Sequence, residues 1–227
     1  MKIGILVNSY LPTIGGAEIC AHCLAEGLVA GGHQVTVFVR RSDAAACAER
    51  GWHFGYELCG LRYAPGFLLK SWPAVGWRYT AWLLRRLCRE RQLDAVQLIG
   101  AWPWLPALGV SRAAGEAPVV LRSSGEDIQI DASVGYGIRQ DQRVDGLIRA
   151  GIGHLSGAVA ISETVTREYE KAGLERTRVR EIPPGVDFAA FRKIADNLDR
   201  SAARAKWNLP QDRKLLISVG RNHPKKR

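Results

Sequence analysis

Short apolar runs rich in valine, isoleucine and leucine alternate with helical patterns along most of the chain, and loops bearing glycine or polar residues separate them. Ile3, Ile5, Leu6 and Val7 form the first run, which is apolar on both sides and reads as a buried parallel strand. A loop over 8–16 leads to helical periodicity over 17–30, closed by Gly31-Gly32, and then to a β-branched and aromatic strand over 33–40. Strand, loop, helix, turn and strand make a βαβ unit, whose crossover is right-handed. The unit recurs, with strands expected at 94–100, 118–124, 157–162 and 178–183 and helices near 104–114, 140–155 and 164–173. This order predicts an α/β fold: a Rossmann-like open parallel sheet with helices on both faces.

Two stretches depart from the alternation. Residues 62–92 gather Trp72, Trp77 and Trp82 with Arg85, Arg86, Arg89 and Arg91. After Pro183-Pro184-Gly185 the chain reads as a polar helical connection until a new apolar run, KLLISVG, at 214–220. We expect one domain over 1–185, a connection over 186–213, and at 214–227 the first strand of a second domain, too little to form a core alone.

Hydrophobic types make up 47% of the 227 residues and charged types 24%, which excludes disordered, collagenous and disulfide-scaffold classes. No apolar run reaches the length of about 18 residues that a membrane span requires, and the N-terminus lacks a secretory leader pattern. The five cysteines include a C-x-x-C at Cys20 and Cys23, which lies in an apolar helical pattern and reads as packing in a reducing, cytoplasmic setting. The net charge of +10 is uneven: +6 over residues 40–112 and +8 over 192–227. Such basicity suits phosphorylated substrates, anionic membranes or nucleic acid, but no helix-turn-helix, RRM or KH signature supports the last.

Three places carry candidate chemistry. Gly15 and Gly16 precede the first helix, where exposed amides and the helix dipole favour an anion, although a Gly-Gly turn is also the tightest route from strand to helix. Arg122, Gly125, Glu126 and Asp127 follow a predicted central strand, with Tyr136 and Arg139 downstream. Carboxylates at that rim can bond sugar hydroxyls or move protons, or can simply cap a helix and pair with a cation. Arg221 and Lys226, after the last apolar run, have the chemistry of a diphosphate clamp. The five histidines form no metal-ligand spacing, and no nucleophile elbow is present. The glycine spacing is neither the dinucleotide nor the Walker pattern. Arg40 and Arg41 after the second strand keep an NADP-binding alternative open.

Taken in order, GGAE (15–18), GEDIQ (125–129), YGIR (136–139), AISE (160–163), IPPGVDFAAF (182–191) and VGRNHPKK (219–226) resemble the retaining glycosyltransferases of family 4, which have the GT-B fold. The resemblance implies two Rossmann-like domains facing a cleft, of which this chain would hold the acceptor-side one, and a nucleotide-sugar donor, UDP- or GDP-linked, used without a bound metal or other cofactor. By position it places Gly15 and Gly16 against donor phosphates or acceptor, Gly125, Glu126 and Asp127 against the transferred sugar, and Arg221 and Lys226 on the diphosphate. Ser124 stands where the family often has histidine, and the paired-glutamate segment of the donor domain is absent from this sequence. The chain alone is therefore expected to be inactive. The acceptor is expected to be a glycan or lipid-linked molecule of cell-envelope polysaccharide synthesis. Residues 62–92 would then meet the inner face of an anionic membrane, or pack as a core helix with solvated arginines. A non-catalytic membrane-binding module is the remaining alternative.

Overall fold

A computed structural model describes residues 1–62, 69, 72–111, 117–123 and 125–220. Seven strands form one parallel sheet: β1 (Lys2–Val7), β2 (Gln34–Arg40), β3 (Glu57–Leu61), β4 (Ala95–Ile99), β5 (Val119–Arg122), β6 (Gly157–Ala160) and β7 (Val179–Glu181). Their spatial order is β3-β2-β1-β4-β5-β6-β7, so the chain winds outward one way from β1, then returns to start again at β4. In register, Ile3 pairs with Val35 on one side and Ala95 on the other.

The all-apolar run of β1 has a direct structural reason. Ile3, Ile5 and Val7 pack into one core cluster with Val35, Val37 and Val39 of β2, Ala21 and Ala25 of α1 (Gly16–Ala30), and Cys47 of α2 (Arg41–Glu49). Leu6 and Phe38, on the opposite pleat, join a second cluster built with α3 (Pro73–Arg91), α4 (Leu105–Ser111), α5 (Gln142–Ile152) and α6 (Glu163–Ala172). A strand with apolar layers on both sides cannot alternate with polar residues. The Rossmann-like α/β sheet expected from the sequence is thus the observed fold.

Two elements were not legible. Helix α2 follows β2 without a turn and draws on the alanine-rich RSDAAACAE. Edge strand β3, ELCGL, lacks β-branched residues and carries a glycine, so its pairing with β2 is set by the neighbour rather than by propensity. The Trp/Arg stretch is the long helix α3, with proline in its first turn and a left-handed Gln92 (φ 51°) beyond its last.

Residues 184–227 form a separate unit by contacts. Its helices α7 (Phe188–Asp196) and α8 (Arg200–Lys206) are each capped by an aspartate, Asp187 on the Ala190 amide and Asp199 on the Ala202 amide. Arg204 is buried and its Nη1 donates to the carbonyls of Pro210, Gln211 and Arg213. The strand expected at 214–220 is not formed: these residues have no regular structure, and Leu216, Ile217 and Val219 are exposed. Strand propensity cannot act without a neighbouring strand to complete the ladder.

Candidate functional site

Open parallel sheets bind ligands beyond the carboxyl ends of the strands, where the winding reverses. The reversal here lies between β1 and β4, with β5 next in line. The loops leaving these three strands build the candidate site.

The loop after β1 is fixed at its base and open at its tip. The Tyr10 amide donates to Asp43 at 3.0 Å, and the Cys47 thiol donates to the Leu11 carbonyl at 3.0 Å. The buried hydroxyls of Tyr10 and Tyr56 bond each other, and His22 Nδ1 bonds Tyr56 at 2.8 Å. Beyond this anchor Ile14 is 82% exposed. Gly15 stands at the extended N-cap of α1 and, having no side chain, does not itself cap the first amides. A Cβ there would collide with the Glu18 carboxylate, which folds back over the helix start, whereas one on Gly16 would meet nothing within 4 Å. The expected anion site is thus an open helix N-terminus that carries its own competing carboxylate. A ligand phosphate has to approach on the Gly16 side or displace Glu18.

The loop after β5 is held by hydrogen bonds to itself and to neighbouring elements. Ser123 is fully buried; its amide donates to the Tyr169 hydroxyl at 2.9 Å, and its own hydroxyl donates to Asp127 Oδ1 at 2.6 Å and accepts from the Gly125 amide. Asp127 Oδ2 accepts from the Ala101 amide at 2.6 Å, which zips this loop to the one after β4. Burial pushes the Asp127 carboxyl above the ordinary carboxylate range, opposed by the Ser123 hydroxyl and the Ala101 amide. Both oxygens of Asp127, expected in the chemistry, therefore hold the loop. Gly125 (φ +119°) places the Tyr136 hydroxyl and Gln129 Oε1 each 3.0 Å from where a Cβ would stand. At Gly137 (φ +106°) a Cβ would collide with the Gln129 carbonyl.

Arg139, expected to contact substrate, does not face the rim. It is 3% exposed, donates from Nε to Asp145 at 2.6 Å and from Nη1 to the Ile128 carbonyl at 2.6 Å, and has Glu168 at 3.6 Å. An arginine this deeply buried needs every donor matched, and the helices α5 and α6 supply the matching carboxylates. Burial alone would raise the Asp145 carboxyl, but hydrogen bonds from Arg149 and Arg139 hold it below its usual range.

What remains for a ligand on this loop is Glu126 and Arg122. Glu126 is exposed, and its carboxylate has no hydrogen bond or ion pair among the described residues. Arg122, half-buried at the end of β5, also makes none among them. Tyr136 lies beside Gly125 in the same loop. The structure therefore brings Arg122, Gly125, Glu126, Asp127 and Tyr136 together after β5, two strands from Gly15 and Gly16. Ser123, Tyr169 and Glu18 were not anticipated; a buried serine four residues before an aspartate is the signal that a loop is tied to itself. Arg221, Lys226 and Ser124 lie outside the described residues. Arg40, the candidate for a dinucleotide 2′-phosphate, is ion-paired with Asp43 at 3.2 Å.

The model of Glycosyltransferase Family 4 matches residues 14–190, from the tip of the first rim loop through most of the sheet. The chain belongs to glycosyltransferase family 4. A comparison with curated proteins finds no significant match. Among solved structures, HepE of Anabaena in complex with UDP is similar with a TM-score of 0.59 and 17% identity, over 92% of this chain and 50% of HepE. Sucrose-phosphate synthase of Thermosynechococcus elongatus gives 0.63 and 16%, over 93% of this chain and 53% of that one. The lipopolysaccharide outer core galactosyltransferase WaaB gives 0.54 and 12%, over 82% and 46%. The family 4 chain thus spans about half the length of the structures it matches, and what it shares with them at such identity is the fold.

Proposed function

We propose that this chain is the acceptor-side half of a retaining glycosyltransferase that moves a sugar from a UDP-linked donor to a glycan or lipid-linked acceptor of cell-envelope polysaccharide synthesis. The observation that carries this reading is the unfilled start of α1 at Gly16, flanking the winding reversal with the exposed carboxylate of Glu126. Family membership and the UDP in HepE support it.

In this reading an acceptor hydroxyl donates its hydrogen bond to Glu126, and Arg122 and Tyr136 bond neighbouring hydroxyls. Gly15 and Gly16 leave the α1 amides open to donor phosphate or acceptor. The acceptor oxygen bonds to the sugar's anomeric carbon as its hydroxyl proton passes to Glu126 and the bond to the diphosphate breaks, and UDP departs with the electron pair. Arg221 and Lys226 take the diphosphate, so no metal is required. Asp127 and Arg139 act by positioning. The outer face of α3, where Val75, Arg78, Arg85 and Arg89 are exposed along with Trp72 at its N-cap, meets an anionic membrane at the cytoplasmic surface. No helix among the described residues is long and apolar enough to cross a membrane.

The test is an amide-resonance titration of the chain with UDP-glucose, and separately with NADPH. Shifts at residues 15–18, 122–136 and 221–226 with UDP-glucose are expected, together with no glycosyl transfer by the chain alone. Shifts with NADPH only would replace this reading by the dinucleotide one, and measurable transfer would refute the inactivity of the isolated chain.

A further inference from the structure

Helix α3 has a second solvent-facing line besides its outer stripe. Between it and the edge strand β3 lies a groove of about 380 Å³, bounded by Leu61 and Arg62 on the strand side and by Tyr79, Trp82, Arg86 and Glu90 on the helix. The rings of Tyr79 and Trp82 are tilted at 33° with centroids 6.0 Å apart. The Arg86 guanidinium covers part of the Trp82 ring, standing over it at 5.3 Å from the centre, and its Nε donates to Glu90 at 2.7 Å, so a ligand meets the part of the ring that remains exposed. Trp82 is 49% exposed despite these neighbours. An aromatic surface therefore sits beside a preassembled set of donors and acceptors.

We propose that this groove is a carbohydrate-binding site, in which a neutral hexose of a glycan chain lies against the Trp82 ring with its hydroxyls on the Arg86–Glu90 pair. The electron-rich face of an indole attracts the C–H-bearing face of a sugar ring. A hydroxyl both donates and accepts, so one sugar satisfies the carboxylate and the guanidinium together. Glu90, ion-paired with Arg86, repels an anionic headgroup, while Arg62 adds a second cation to the lining, so phosphate and anionic vesicles are the comparators in the test. A purely apolar chain fits worse than a sugar, since it would cover these charges without bonding them. The volume is in the range of small-molecule clefts.

The groove is not the rim site. Strand β3 lies four spacings of about 4.8 Å, roughly 19 Å, from β5, and α3 packs in the core cluster on the sheet face opposite α1, whose start carries Gly15 and Gly16. It holds a chain at a point other than the reacting hydroxyl, and its occupancy depends on no nucleotide and on no part of the transfer reading.

The experiment is saturation-transfer NMR on the 227-residue chain without nucleotide, with gluco-, manno- and galactohexaose as probes. Inorganic phosphate and phosphatidylglycerol vesicles are the comparators. At least one hexaose is expected to bind, and Trp82→Ala to weaken it about tenfold. Trp72→Ala, at the exposed N-cap of the same helix and outside the groove, is expected to leave binding unchanged. If circular dichroism shows that Trp82→Ala does not fold, the pair Arg86→Gln and Glu90→Gln replaces it, with a several-fold loss expected. Absence of binding by all three hexaoses, or equal binding by wild type and groove variants, overturns the proposal. Trp82-dependent binding of phosphate or vesicles alone overturns it in favour of a lipid surface.

Discussion

The loops after β1 and β5 both carry the chain over the rim of the sheet, and they do so in opposite ways. The first keeps its bonds at the base, through Tyr10, Leu11, Asp43 and Cys47, and leaves room at Gly16 beside the Glu18 carboxylate. The second consumes nearly all its polar groups internally: Ser123, Asp127 and Arg139 are each bonded to their own loop or to a neighbouring element. One loop offers backbone and the other offers, among the described residues, the Arg122 and Glu126 side chains on a rigid mount. Conserving fixed geometry and leaving room for a ligand are thus divided between two segments.

That contrast can be broken most severely at Arg139. Arg139→Met leaves Asp145 with Arg149 alone, Glu168 with Lys171 alone and the Ile128 carbonyl without the Arg139 donor, an expected loss of about 3–5 kcal/mol in urea unfolding. It also alters the acid limb. Asp145 contributes stability in full above about pH 5, and loses it as pH falls through its depressed folded value. In Arg139→Met that acid loss should be shallower, because half of the clamp on Asp145 is gone. Gly137→Ala comes next. A left-handed φ and a collision with the Gln129 carbonyl should cost about 3 kcal/mol, read as a lowered unfolding midpoint with unchanged slope.

Asp127→Asn is milder, at about 1–3 kcal/mol, because one acceptor survives. Its pH signature has the opposite sign. A carboxyl raised in the folded state adds stability as pH falls through its folded value, so the deficit of Asp127→Asn should widen between pH 7 and pH 4. The smallest effect belongs to the open loop. Gly16→Ala should stay within about 0.5 kcal/mol of wild type, since a methyl group there meets nothing. A loss at Gly16 as large as that at Gly137 would show that the first loop is not open.

The strands and most helices were legible because apolar periodicity and glycine turns are local signals, and the alternation leaves few topologies. The site was legible in outline only. A sequence marks Arg122, Glu126, Asp127 and Arg139 alike as charged residues near a strand end, but whether each faces ligand or core depends on partners far along the chain. Ala101 lies 26 positions from Asp127, and Tyr169 46 from Ser123. The Trp/Arg stretch divides similarly: Trp77 is partly buried and meets Trp102 edge-on at 6.4 Å, while Trp72 and Trp82 are exposed. Core helix and exposed face are both true of α3, on different sides. The missed strand β3 and the unformed strand at 214–220 make the complementary point, that a ladder is a property of neighbours.

The placement of β1 at the middle of the winding has a consequence for biosynthesis. The Lys2 amide bonds Asp94, 92 positions later, and β4 follows at once. At about 5–20 residues per second, roughly 5–18 s separate the synthesis of the first strand from that of its second neighbour. Through that interval the β3-β2-β1 half-sheet presents a bare, apolar edge that the finished fold never shows. The nascent chain is then most exposed to mispairing, and a chaperone that shields extended apolar segments would act at that stage.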